Sequence, residues 1–459
     1  MAISTNQNIL NILKIWYRDK VENLLFRNSP VLKKIDKTRV EGKVQSFAAL
    51  YGRGGAVSAS FLTARAKSAQ TSRNAEFQVT PGDLFSVYNM NAKEVSASLS
   101  KRGAFMKVAG NKLFAATEAF RKTLAASLYG SGFGEIGLIS SAYSFVANTA
   151  IDITLTDDAI IKIDIGSDLD VKKTASATTI ETTLTVNSID GNTVNVTPDK
   201  SYTATVGDYL CLAGSLDASG KAKLPMGLDG WLPVVANRTG TSWTSYITQT
   251  FFNVNRSSAP DRLAGIYVQG GSGANKLNVL QDALRKARRQ GSEADIIIMN
   301  DEDWLEVSKL LETTNSYFTQ TSDSGKKKAV KGFSEIKLAF STSWVEDIYD
   351  DPYCPKNKFY ILDSNAVELW AYTKSEAVND GVADNNPGKQ DVEALEGQAN
   401  EGKPYGLLID DFITVQSGQA DNDGPTVEVT LQLYGSFVVT NPSVCAVGLF
   451  DSTVPTLGV

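Results

Sequence analysis

Histidine is absent from all 459 residues of the chain, which removes much familiar chemistry at once. No Ser-His-Asp or Cys-His nucleophile system, no histidine general base and no histidine metal ligand can be assembled from this sequence. Carboxylates are left as the acid–base groups. Their densest cluster is Glu346, Asp347, Asp350 and Asp351, residue types that serve paired-acid glycoside hydrolysis or calcium binding. The cluster lacks the D-x-[DN]-x-[DN]-G spacing, and Asp351-Pro352 reads as turn initiation, so these acids are expected in a solvated turn. Asp380, Asp384 and Asp391 lie in a polar stretch over 373–403 with seven acidic residues and are expected in a loop.

The remaining chemical signals are weaker. Cys211, Cys354 and Cys445 are far apart and form no C-x-x-C pair, so they are expected as buried small hydrophobes. Gly132-Phe-Gly134-Glu-Ile-Gly137 matches G-x-G-x-x-G but follows a helix pattern instead of leaving a strand, which removes the dinucleotide-loop geometry. Trp16, Tyr17, Arg18 and Lys20 interleave aromatic and basic residues, at spacings that a helix core face explains equally well. The expectation is a protein with no catalytic residue, no cofactor and no metal.

The elements that carry these residues are those of a sizeable soluble chain. A hydrophobic share of 42% and a charged share of 21% are ordinary for a folded protein. At ~100–200 residues per domain the length predicts about three domains, or one with large insertions. No window approaches the ~18 apolar residues of a membrane span, and Lys14, Arg18 and Lys20 make the first residues unlike a signal peptide. The chain is expected to be made in a reducing compartment. Net charge hides an asymmetry. Residues 1–130 hold 20 Lys and Arg against 8 Asp and Glu, a balance of +12, and the remainder holds 25 against 43, a balance of −18. A basic part joined to an acidic body suits a polyanion or the acidic part of another copy.

Residues 5–35 carry a helical pattern that Ser29-Pro30 is expected to end. Extended sequence over Val40 to Leu50, a stretch of Gly52, Gly54 and Gly55, and renewed alternation at Phe77 and Val79 predict a long two-stranded excursion with a basic tip poor in large apolar side chains. With so little to bury, such a hairpin needs a partner surface. Phe105, Ala109, Leu113, Ala116, Phe120, Leu124 and Leu128 predict one long helix over 102–129, stopped at Gly130. From about 148 to 250 a Thr/Val/Gly texture with an Asp190-Gly191 hairpin signal predicts a small β insertion. Beyond 261 the pattern is α/β: a helix through Leu277, Leu280, Leu284 and Ala287, the strand Ile296-Ile297-Ile298, then Asn300 capping the next helix. Lys326-Lys327-Lys328 is placed in a loop, with strands around Ile336 to Phe340 and Phe359 to Leu362. Val427, Val429, Leu431 and Leu433 alternate in a long strand, after which the sequence reads as irregular and apolar.

That order of arm, basic glycine-tipped hairpin, long helix ending in Leu128-Tyr129-Gly130, α/β region and final long strand resembles the major capsid protein family of tailed bacteriophages, which has the Hong Kong ninety-seven fold. Ile348-Tyr-Asp-Asp-Pro352-Tyr-Cys-Pro355-Lys-Asn-Lys-Phe359-Tyr-Ile-Leu-Asp363 is similar to that family's turn between two strands of its axial domain. The resemblance implies an α+β capsid-protein fold with an N-arm over 1–40, an extended E-loop with flanking strands over 41–98, a peripheral domain with its spine helix over 99–147, and an axial domain over 251–403. The peripheral domain's long strand and the C-terminus would occupy 404–459, and the β insertion, at 148–250, lies outside the likeness.

It also implies a structural protein without catalysis. Copies would form pentamers and hexamers of an icosahedral head shell around double-stranded DNA, held by non-specific contact, with separate scaffolding, portal and decoration proteins as further partners and no membrane. Assembly would take place in the host bacterial cytoplasm and the product would be the virion. Arg53, Arg65, Lys67 and Arg73 are the candidate inter-subunit contacts, and the insertion is expected on the outer surface. The alternatives are another phage structural protein, such as a tail or baseplate component, and a carboxylate-based carbohydrate enzyme.

Overall fold

The computed structural model describes residues 30–40, 44–52, 57–66, 73–91, 116–139, 141–174, 176–234, 250–314, 319–323, 326–330, 338–340, 343–345, 347–372, 407–410, 413–417 and 426–451. The opening helical pattern before residue 30, the first part of the long helix and the acidic stretch over 373–403 lie outside them. Pro30 begins a short helix, α1 (Pro30–Lys34). Its missing N–H and fixed φ are tolerated at a first helical position. Strand β1 (Asp36–Arg39) follows. Then come β2 (Gln45–Gly52), helix α2 (Phe61–Ala66), β3 (Arg73–Val79) and β4 (Gly82–Asn91). Strands β2 and β3 form the expected hairpin, with Gln45 opposite Val79 and Phe47 opposite Phe77. The described part of the long helix, α3, spans 116–128 and stops before Gly130, whose N–H bonds Ser127 O at 3.1 Å.

A β unit follows, built from β5 (Glu135–Leu138), β6 (Tyr143–Phe145), β7 (Ile151–Thr154), helix α4 (Asp157–Ile160), β8 (Asp168–Lys172), β9 (Thr182–Asp190), β10 (Thr193–Pro198), β11 (Tyr202–Ala204) and β12 (Tyr209–Leu212). Six of its strands make one sheet in the order β5-β12-β8-β9-β10-β7, and β6 pairs with β11. The Asp190-Gly191 signal is the turn between β9 and β10, where Asp190 pairs with Thr193. The unit has its own core, including Leu169, Val171, Leu184, Val186, Val194, Val196 and Leu210. Its limits differ from 148–250 at both ends. The sheet begins at Glu135, and after Leu212 the chain returns to the main core, where helix α5 (Leu228–Trp231) is buried. The G-x-G-x-x-G match falls at the near boundary. A Cβ on Gly134, at φ 68°, would lie 2.8 Å from Leu224 Cδ1 and 2.9 Å from Ser215 Cβ, so this glycine serves close chain crossing.

Strands β13 (Thr250–Phe251) and β14 (Val254–Asn255) make a two-stranded turn, and α6 (Pro260–Leu263) leads into β15 (Ile266–Gln269). The α/β reading of the next stretch holds. Helix α7 (Lys276–Arg289) buries Leu280, Ala283, Leu284 and Ala287, β16 (Ile296–Met299) is buried throughout, and Asn300 Oδ1 accepts from Glu302 N at 3.0 Å to cap α8 (Asp301–Thr314). The lysine run is not in a loop. It forms β18 (Lys326–Val330), paired with β17 (Thr319–Asp323). Strands β19 (Leu338–Phe340) and β20 (Ser343–Val345) pair next, followed by β21 (Asp347–Asp350), β22 (Lys358–Leu362) and β23 (Val367–Ala371).

The last strands are β24 (Leu407–Asp410), β25 (Ile413–Ser417), the long β26 (Thr426–Val439) and β27 (Ala446–Leu449). Strand β26 pairs with β4, β23 and β25, while β1 adds in parallel to β23. The second large sheet runs β15-β27-β22-β16-β21. Thus 446–449 is not irregular sequence and does not join the sheet of β26; it is an interior strand of this second sheet. Gly448 admits it there, because a Cβ would lie 2.1 Å from Phe359 Cζ. Cys211, Cys354 and Cys445 are all buried and unbonded to one another, as expected. Burial pushes the Cys211 and Cys445 thiols up to about 12. At pH 8 roughly one in ten thousand of each is then thiolate, so iodoacetamide should leave all three unmodified until the protein is denatured, by intact-mass measurement.

Candidate subunit interface

The hairpin of β2 and β3 is firmly held at its root. The strand period puts Phe47, Ala75, Phe77 and Val79 on its inner face, and these pack into an aromatic cluster. Phe47 stacks on Phe77 at 5.1 Å between centroids and meets Trp370 edge-on at 5.7 Å. Phe77 lies 5.4 Å from Trp231, whose other neighbours are Phe251 at 5.0 Å and Phe252 at 5.5 Å. Trp231 is placed by its Nε1–H, which donates to Phe437 O at 2.8 Å, and by Arg256, which donates to Trp231 O at 2.9 Å and Gly230 O at 3.0 Å. Two further bonds hold the hairpin: Gln78 N donates to Phe252 O at 3.0 Å, and the Arg262 side chain donates from Nη1 to Tyr51 O at 2.6 Å.

Beyond Tyr51 the support ends. The ladder shifts register between Leu50 and Gly52, and helix α2 at the tip buries none of its residues. Val57 is 99% exposed, Phe61 76% and Leu62 75%, with Leu50 also open to solvent. Burying each such side chain is worth about 1.5–3 kcal/mol, so leaving them out is a cost that another surface removes. Of the four basic candidates, Arg65 is exposed on α2 and Arg73 exposed at the start of β3; Arg53 and Lys67 lie outside the described residues. A tip poor in large apolar side chains was expected. The apolar pair Phe61-Leu62, isolated in a run of Ser, Ala and Thr, is the signal that expectation passed over.

The acidic cluster does not form a solvated turn. Asp351 is fully buried: it accepts from Tyr129 Oη at 2.8 Å and from Tyr353 N at 3.0 Å. Burial, with the Asp351 charge beside it, pushes the Tyr129 hydroxyl well above its ordinary range. The carboxylate thus fixes the Pro352 turn to the end of α3. Asp350 is exposed at the end of β21, the side chain of Asp347 lies outside the described residues, and so does Glu346. Of the two acids whose side chains are described, Asp350 faces solvent and Asp351 is buried in a structural contact. Two further acids join the sheet of β22 to its surroundings. Asp229 on α5 and Lys358 on β22 pair at 2.5 Å, with exposures of 7% and 2%. Asp158 on α4 accepts from Lys356 N at 3.1 Å, and Lys122 on α3 pairs with Asp164 at 3.2 Å, so the β unit is fastened to both the turn before β22 and helix α3. Among the described residues no group of three or more acids and cysteines is arranged to hold a metal ion, and no helix is long and apolar enough to cross a membrane.

No protein-family model and no curated protein matches this sequence. Solved structures do match its shape. A chain of the cyanophage A-1(L) capsid asymmetric unit superposes with a TM-score of 0.50 at 14% identity, covering 94% of this chain and 94% of its own. Chains from the capsid of a native GTA particle (TM-score 0.41, 8% identity, 92% and 90% covered) and from Mycobacterium phage Adephagia (0.40, 11%, 93% and 91%) are also found. On the first of these, nearly the whole chain has the fold of a bacteriophage capsid subunit, with the α+β composition that the element order implied.

Proposed function

We propose that this chain, having a capsid-subunit fold, is the protein that builds the head shell of a tailed bacteriophage. The observation that carries the reading is the hairpin: anchored by a ring cluster at its root, it presents Val57, Phe61 and Leu62 to solvent on a tip that the described residues do not cover. Laid across a neighbouring copy, that tip gains the burial it lacks here. Arg65 and Arg73 add charge that suits the acidic remainder of the next copy. Closed symmetry turns one such contact into rings, and rings of five and six into an icosahedral shell. The shell encloses double-stranded DNA through non-specific contact, needs no catalytic group, and is served by separate scaffolding, portal and decoration proteins. Its place is the virion, with assembly in the host bacterial cytoplasm.

Electron microscopy of the purified assembly tests this reading. Closed icosahedral particles are expected; tubes or discs would favour a tail or baseplate role instead. The β unit is expected on the outside of the particles, because an added unit with its own core is tolerated most easily where it meets solvent. A reconstruction that places its sheet on the inner surface removes that expectation.

A further inference from the structure

The lysine run is left unexplained by the shell contact. Strands β17 and β18 form a ribbon that pairs with no other strand among the described residues. Its sequences are Thr-Gln-Thr-Ser-Asp and Lys-Lys-Lys-Ala-Val. An isolated two-stranded hairpin is marginal in water, and three strands or an apolar face are normally needed to hold one. Here only Ala329 and Val330 are apolar, so hydrophobic burial is not what the ribbon offers a partner. What it offers is charge. Lys326 stands opposite Asp323, but Lys327 stands opposite Ser322 and Lys328 opposite Thr321. By the two-residue period of a strand, positions 326 and 328 share one face and position 327 belongs to the other, so the sequence assigns lysine to both faces.

A ribbon charged on both faces suits a partner that lies on both sides of it. The major groove of B-DNA, ~12 Å wide with a phosphate wall on each side, admits a two-stranded ribbon. Lysines act there as point charges on phosphate, without reading sequence. Lysine on an open edge also discourages strand pairing between copies, but one or two would serve that purpose, whereas three in succession place charge on each face. We propose that the β17–β18 ribbon contacts duplex DNA through Lys326, Lys327 and Lys328, by phosphate neutralisation alone. This deepens the shell reading, since an enclosed polymer must meet the wall somewhere, and it assigns that meeting to particular residues. The acidic stretch over 373–403 of another copy is the competing partner.

The test uses the soluble full-length protein before assembly and a random-sequence 30-base-pair duplex, with binding followed by anisotropy across salt concentrations. Each phosphate neutralised contributes about 0.9 to the slope of log affinity against log salt. The triple variant K326A/K327A/K328A should therefore lower that slope by between 2 and 3, about one per lysine, and weaken binding at least about tenfold at low salt. K200A/K221A/K309A removes the same charge from exposed positions elsewhere and should leave the slope unchanged. Equal slopes for wild type and the ribbon variant overturn the proposal. So does lysine-dependent binding of a synthetic 373–403 peptide by a protein that does not bind the duplex. Electron microscopy of the same preparations keeps the two readings apart: particles without lysine-dependent binding remove the contact alone, and lysine-dependent binding without particles removes the shell alone.

Discussion

Phe61→Asp together with Leu62→Asp should abolish assembly while leaving the subunit folded. Both side chains are about three-quarters exposed on a helix that buries none of its residues, so their replacement removes little burial among the described residues, and surface changes of this kind usually alter stability by less than about 0.5 kcal/mol. Between copies the effect is different. Two apolar groups worth about 1.5–3 kcal/mol each are lost, and two carboxylates must be desolvated in their place. Repeated at every contact of a closed shell, a loss of several kcal/mol per subunit leaves no assembled fraction. The check is sedimentation or light scattering for particle content, paired with thermal unfolding of the unassembled protein. Shells of normal yield from the double variant would mean that the tip is not the grip. Arg65→Glu, on the same helix, should have a smaller and salt-dependent effect, because exposed charge is screened within about 10 Å at ordinary ionic strength.

Asp229→Ala has the opposite profile: it should strike the fold itself. Lys358 is 2% exposed and its ammonium lies 2.5 Å from the Asp229 carboxylate, with the Tyr360 ring 5.1 Å from the charge. Taking away the acid strands a cation in the interior, a change that typically costs about 3–5 kcal/mol. Against a total stability of about 5–15 kcal/mol this is enough to unfold much of the protein at growth temperature. The pair replaced together, Asp229→Asn with Lys358→Met, should recover more than half of the loss, since no unpaired charge is then buried. Urea midpoints of the three proteins decide the matter. A single variant within about 1 kcal/mol of the parent would show that water reaches the lysine.

Much of this architecture could be read from patterns of period two and near four. The hairpin, the stop at Gly130, the turn at Gly191, the cap at Asn300 and the alternation of β26 each depend on local chemistry, and local chemistry is what a linear reading sees. The failures share a different cause. Asp351-Pro352 has the composition of a surface turn, yet Tyr129, far away along the chain, covers it. Ala446–Leu449 is too short to show a period, and only its neighbours β15 and β22 make it a strand. Trp231 sits in a Gly/Pro-punctuated segment that reads as a turn, whereas its ring is the hub that the hairpin root, Phe251 and Phe252 surround. At the hairpin tip, charge alone drew the reading to Arg65 and Arg73. Phe61 and Leu62 were hidden by the polarity of their surroundings.

The position of β26 in the chain has a consequence for the timing of synthesis. β4 lies near the start of the described chain and waits for a partner that is translated only after both the β unit and the second sheet's helices, which at roughly 5–20 residues per second takes tens of seconds. Trp370, against which Phe47 packs, is equally late. The β unit, by contrast, pairs only strands between Glu135 and Leu212 and can close while the ribosome is still working. A nascent chain should therefore carry a finished β unit and an unanchored hairpin, so that the tip cannot engage neighbours until translation has passed β26. Limited proteolysis of stalled chains should find 135–212 protected early and the β2–β3 hairpin cleavable until the end. On the proposed shell role, completion of the subunit would then act as the licence to assemble and would keep truncated chains out of the growing particle.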